Sequence, residues 1–131
     1  MTIVVPIKDL DTRKLAGPGL RTFFNIAEAW QLTREEQMRL LGVPATSTYH
    51  HWKSGHGTKL SPDTLERISY ILGIYKALQI LLPDPHAADG WVKKPNAAIP
   101  FGGRSALTYM MQGHVRNLYE VRLYLDAQRG V

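Results

Sequence analysis

The chain has 131 residues, 44% of them hydrophobic, and a formal net charge of +5. That suits one compact domain or two small modules sharing a core, and it favours an anionic partner. There is no cysteine, which excludes a disulfide scaffold and thiolate chemistry. The N-terminal MTIVVPIKDLDTRK has too short an apolar stretch and too many early charges for a signal peptide, and GIYKALQILL is too short to span a membrane. A cytoplasmic protein is expected.

Residues 1–18 read as an extended arm. Val4 and Val5 favour a strand, but Pro6, Gly17 and Pro18 interrupt any long element. A first helix is expected from Gly19 to Leu32, with Phe23, Phe24, Ile26, Ala27 and Trp30 facing inward. The run TREEQMRLLGVPATSTYHHWKSG, Thr33 to Gly55, then predicts two short helices joined by a tight turn. Thr33 and Glu36 form an S/T-x-x-E capping box, Gly42 suits a helix C-terminus, and Pro44 suits a new helix start. Met38, Leu41 and Val43 supply the apolar face of the first helix, and Tyr49 and Trp52 that of the second.

The second helix thus leaves Thr46, Ser47, Thr48, His50, His51 and Lys53 free to meet base edges and phosphates, as a DNA-recognition helix requires. From Gln37 to Pro62 there is no carboxylate, while Arg39, Lys53 and Lys59 are positive; Lys and Arg neutralise phosphate and supply most sequence-independent DNA affinity. The competing reading is an ordinary helical hairpin within an all-α core.

Ser61-Pro62-Asp63 opens the strongest helix, running to about Leu82: an N-cap, a proline at the first position and an acid at the positive end of the dipole. It bears two apolar stripes. Leu65, Ile68, Leu72, Tyr75 and Leu82 form one, and Ile71, Ile74, Leu78 and Leu81 the other. A helix apolar on two sides is buried on two sides, so it is expected to be a central beam, or to give one stripe to a dimer seam. Gly73 in its middle costs helix stability and suggests close approach of another backbone. Beyond Pro83 come a short helix over 86–92, a loop from Lys94 to Gly103, a short helix from the Ser105 cap to about Gln112, and a last helix from His114 to about Gln128. The expected organisation is all-α: an arm (1–18), a helix-turn-helix domain with the central helix (19–82), and a small helical unit (83–131).

The second half carries a family resemblance. The order Trp91, Pro95-Asn96, Phe101-Gly102-Gly103-Arg104-Ser105, Leu107, Gly113 and a final helix ending YLDAQRGV resembles the toxin-binding domain of Xre/MbcA/ParS antitoxins. The helix-turn-helix before it is similar to the N-terminal domain of Xre-type members, so the resemblance covers roughly residues 20–131. Ala106 stands where the family often has proline, and the turn between the two DNA-reading helices is one residue longer than usual.

The resemblance implies an antitoxin that binds a cognate toxin, commonly an RES-domain enzyme that degrades NAD, and represses its own operon, with operator DNA as the second partner; a homodimer is expected from the surplus apolar surface of the two-striped helix and from the few bases that one helix-turn-helix reads. Within it, a loop stiffened by Pro95 and Pro100 presents Asn96, Phe101, Gly103 and Arg104 to the toxin; aromatic and Arg anchors suit such surfaces. Phe101 is equally readable as core, and Trp91 reads mainly as core. The tail Arg129-Gly130-Val131 is expected to extend toward the toxin's substrate cleft, against the alternative of a frayed end. Gly102-Gly103-Arg104-Ser105 is readable as an anion cradle but better as a turn with an N-cap. No catalytic set, metal site or cofactor is expected, since His50, His51 and His56 lack zinc-site spacing and a nearby carboxylate. The rival functions are a plain transcriptional regulator with a C-terminal oligomerisation module, and an adaptor that has lost DNA binding.

Overall fold

The computed structural model describes residues 12–56 and 59–131, so the strand suggested at Val4-Val5 lies outside the described residues. Among the described residues there are seven α-helices: α1 (Thr12–Ala29), α2 (Arg34–Leu41), α3 (Thr46–Lys53), α4 (Pro62–Leu81), α5 (Pro85–Gly90), α6 (Ala106–Met110) and α7 (Val115–Arg129). A 3-10 turn over Trp91–Lys93 extends α5.

The first helix begins at Thr12, well before the expected Gly19, and carries Pro18 in its interior. Proline there forfeits an amide donor. Burial decides the matter: Ala16 and Leu20 on either side are both in the core, while Pro18 faces solvent. The capping box of α2 is present in full, with the Thr33 amide donating to Glu36 Oε1 at 2.8 Å and the Glu36 amide to Thr33 Oγ1 at 3.1 Å. Gly42 ends α2 in the left-handed region at φ 72°, which glycine adopts without strain. Pro44 lies just ahead of α3, whose N-cap is Ala45. Ser61 caps α4 by accepting from the Thr64 amide, with Pro62 as the first helical residue.

α4 is the beam around which the rest is arranged. α1 packs on one side and α7 on the other. Contacts step in register from Arg67 beside Gly113, through Tyr70 against Tyr119 and Gly73 against Arg122, to Leu78 near Leu125. α4 and α7 therefore run parallel, and the segment from Pro83 to His114 carries the chain back to make this possible. Ile68, Ile71, Ile74, Ala77 and Leu78 are buried, whereas Leu72, Tyr75, Leu81 and Leu82 are only partly so. The close approach expected at Gly73 comes from the Arg122 guanidinium, not from a backbone. One core cluster extends from Ala16 to Leu125 without a break between the two halves.

Candidate functional site

α3 is held by its two aromatic residues. Tyr49 is buried and its hydroxyl donates to Gln37 Oε1 at 2.8 Å; Gln37 Nε2 donates in turn to the Leu32 carbonyl at 3.0 Å. Gln37 thus ties α3 to α2 and to the turn before α2. Sequence reasoning passed over it because a glutamine in a polar helix gives no signal of burial. Trp52 packs half-buried against the core. With these two turned inward, Thr46, Ser47, His50, His51 and Lys53 are exposed and Thr48 is half-buried. The six expected residues therefore share one eight-residue helix. Lys53 does not extend freely: its ammonium lies 5.4 Å from the centroid of the Phe24 ring and 5.9 Å from that of Tyr49, distances at which ring quadrupoles attract a cation. His51 stacks on His56 with centroids 5.4 Å apart, and His56 Nδ1 lies 2.8 Å from Ser54 Oγ.

The loop before α6 is closed by backbone hydrogen bonds. The Asn96 amide donates to the Arg104 carbonyl at 3.1 Å, and the Gly103 amide returns the bond to the Asn96 carbonyl at 2.8 Å. The Asn96 side-chain oxygen accepts from the Ala98 amide at 2.9 Å, so part of this side chain is spent on the loop itself. Gly102 and Gly103 have φ of 61° and 92°, a reversal that side chains with a Cβ resist. It turns Phe101 inward. Its ring is only 3% exposed and meets Trp91, Tyr109 and Tyr124 edge-on. The expectation that Phe101 is presented at the surface is corrected: enclosure by three other rings stabilises it more than exposure at a loop tip. The apolar side chain the loop does present is Ile99, 90% exposed. Arg104 is exposed and has no ion pair among the described residues. Ser105 accepts from the Thr108 amide, so Gly102 to Ser105 form a turn and an N-cap.

Two comparisons bear on these surfaces. A family model described as the antitoxin Xre-like helix-turn-helix domain matches residues 9–73, and one described as the antitoxin Xre/MbcA/ParS C-terminal toxin-binding domain matches residues 77–130. The chain belongs to the Xre-type antitoxins. A relative from Sinorhizobium fredii (strain NBRC 101917 / NGR234), the uncharacterized protein y4oB, is 50% identical over 111 residues, which is 85% of this chain and 84% of that protein. No solved structure matches.

The end of the antitoxin differs from expectation. Arg129 is the last residue of α7, and its guanidinium lies 3.7 Å from Asp126. Gly130 takes a left-handed cap at φ 80°, and the Val131 amide donates to the Asp126 carbonyl at 3.0 Å. These bonds satisfy carbonyls that a helix end otherwise leaves open. Arg129-Gly130-Val131 is thus a capped helix terminus in the free antitoxin, neither extended nor frayed. Elsewhere in the toxin-binding unit, the Tyr109 hydroxyl donates to Glu120 and joins α6 to α7; desolvation, then this hydrogen bond, pushes Tyr109 above the usual tyrosine range. Among the described residues no group of His, Cys, Asp or Glu is placed to hold a metal ion, and no helix is long and apolar enough to cross a membrane.

Proposed function

We propose that this antitoxin neutralises an RES-domain, NAD-degrading toxin by steric occlusion, and that it represses its own operon as a cytoplasmic homodimer reading DNA through α3. The toxin-binding match over residues 77–130 carries the reading. Within that segment, exposed Ile99, Gly103 and Arg104 with half-buried Asn96 form a preshaped loop; a preshaped surface loses little ordering entropy on binding. Arg129, Gly130 and Val131 belong to the same reading, provided the cap on α7 opens to reach the toxin's cleft. For DNA, the support is the set of exposed polar residues on α3 within a carboxylate-free stretch. One helix-turn-helix reads few bases, so a dimer would engage half-sites about 34–36 Å apart.

The test is co-expression with the adjacent open reading frame and purification through a tag on the antitoxin. A co-purifying partner that consumes NAD when freed, and stops at stoichiometric antitoxin, is the expected result. A partner that binds yet never consumes NAD would remove the RES assignment and leave the antitoxin assignment standing.

A further inference from the structure

We propose that a second copy of this chain docks on α7: the face carrying Tyr119 and Leu123 packs against the same face of its copy, the two helices running antiparallel about a two-fold axis. The proposal rests on the reading that the antitoxin is a homodimer.

The surplus apolar surface that the sequence places on α4 is not left over there. α1 and α7 pack on its two sides, and no residue of either apolar stripe is exposed. The exposed apolar surface lies elsewhere. Ile80, Ile99 and Val131 stand at helix ends and a loop tip, and scattered apolar side chains are ordinary on a protein surface. Tyr119 and Leu123 differ. They are 39% and 49% exposed, in the middle of α7, and residues four apart on a helix adjoin. Tyr70 of α4 widens the patch, its ring meeting that of Tyr119 edge-on at 5.6 Å.

Val121, between them in sequence, is fully buried. At 3.6 residues per turn, Tyr119 and Leu123 each lie about 20° from the point opposite Val121. They therefore mark the middle of the outward face. A two-fold interface uses one patch twice, so that patch must complement itself. In an antiparallel crossing at Val121, residues equally far from Val121 come level across the interface. Tyr119 then lies beside Leu123 of the second copy, ring against branched side chain. Arg116 comes level with Asp126, cation with carboxylate. Arg116 is free to make that contact: its side chain is 78% exposed, and its own partner, Glu120, is 3.4 Å away. A parallel crossing would instead set each of these residues level with itself, Arg116 against Arg116. α4 runs beside α7, so the same axis lays α4 along its copy. That enlarges the contact toward the roughly 800 Å² per partner of a stable interface.

The test is light scattering on the full chain over a concentration series, with circular dichroism to follow the fold. The native chain should be a dimer. Leu123→Glu should reduce it to a monomer of unchanged helix content, because two carboxylates would meet in the middle of the face. Arg116→Asp changes a mostly exposed side chain, so the fold should persist while the dimer's dissociation constant rises about ten-fold by like-charge contact. Ile99→Asp, on the loop, should leave the mass unchanged. A dimer that persists in Leu123→Glu, or is lost in Ile99→Asp as well, would overturn the α7 interface and leave the homodimer reading standing. A dissociation constant unchanged or lowered by Arg116→Asp would overturn the antiparallel crossing. A native chain that is monomeric throughout would overturn the homodimer reading, and the interface with it.

Discussion

The ammonium of Lys53 rests against Phe24 and Tyr49 before any DNA arrives. A cation already held loses less freedom on meeting a phosphate than a freely moving one. Lys53→Ala should therefore weaken binding about equally on all sequences and reduce the salt slope by about 1, as loss of one phosphate contact does. Ser47→Ala and His51→Ala should instead change which sequence is preferred. Filter binding over a salt series checks both, and unchanged affinity in all three variants would mean that another face of the helix-turn-helix meets DNA. Gly73 poses a question of sign. Alanine raises helix stability by about 1 kcal/mol over glycine, but a Cβ at this position overlaps the Arg122 guanidinium, which is paired with Asp126 at 3.0 Å. The guanidinium is the far end of a flexible side chain, and the i,i+4 pair it would give up is worth about 0.3–0.5 kcal/mol, so Gly73→Ala should stabilise the antitoxin less in the native background than in an Arg122→Ala background. Denaturant titration of the four-member cycle reads the difference directly; independent effects would show that Arg122 moves aside at no cost. Tyr109 gives a pH dependence. Its raised pKa means that the folded state favours the protonated hydroxyl, so its contribution is complete below the ordinary tyrosine value of about 10 and is lost as pH rises through the higher folded value. The difference in melting temperature between the native chain and Tyr109→Phe should thus be constant from pH 7 to 9 and shrink above about 10.

Among the elements, those whose boundaries are written in local chemistry were the ones legible from sequence. The Thr33–Glu36 box, the Gly42 terminus, Ser61-Pro62 and the Ser105 cap each satisfy backbone groups within four residues, so they are visible without tertiary knowledge. The start of α1 was not, because Pro18 signals a break and only the burial of Ala16 and Leu20 overrides it. The same limit applies to the candidate surfaces. The exposed side of α3 follows from the spacing of Tyr49 and Trp52. The inward turn of Phe101 depends on Trp91, Tyr109 and Tyr124 meeting from three separate elements, which no local pattern records. The loop therefore separates into a structural residue and a presented one. Phe101→Ala should cost roughly 3–5 kcal/mol by leaving a cavity, a large share of the total stability of an ordinary domain. Ile99→Asp should leave the melting temperature within a few degrees and weaken toxin inhibition. Calorimetry beside an inhibition titration distinguishes them, and full inhibition by Ile99→Asp would move the toxin contact off the loop tip.

At the scale of the whole molecule, α4 lends one side to α1 and the other to α7, and the core passes through it. Trp52 reports on the DNA-reading half and Trp91 on the toxin-binding half. With Trp30 kept in both, a chain lacking Trp52 and a chain lacking Trp91 should each change fluorescence at the same denaturant concentration as its own helical circular dichroism signal, as a single cooperative transition requires. Two separated midpoints would show that the halves unfold independently. The same architecture explains why removal of residues 1–60 is a poor way to isolate the toxin-binding unit: it strips from α4 the packing of Phe23, Leu20 and Trp30. The two matched family segments meet between residues 73 and 77, within α4 itself. A protease that cuts this chain once in a loop and lets the fragments part therefore leaves no competent half behind. On the proposed function, loss of toxin binding and loss of DNA binding would then follow from one event, at one rate.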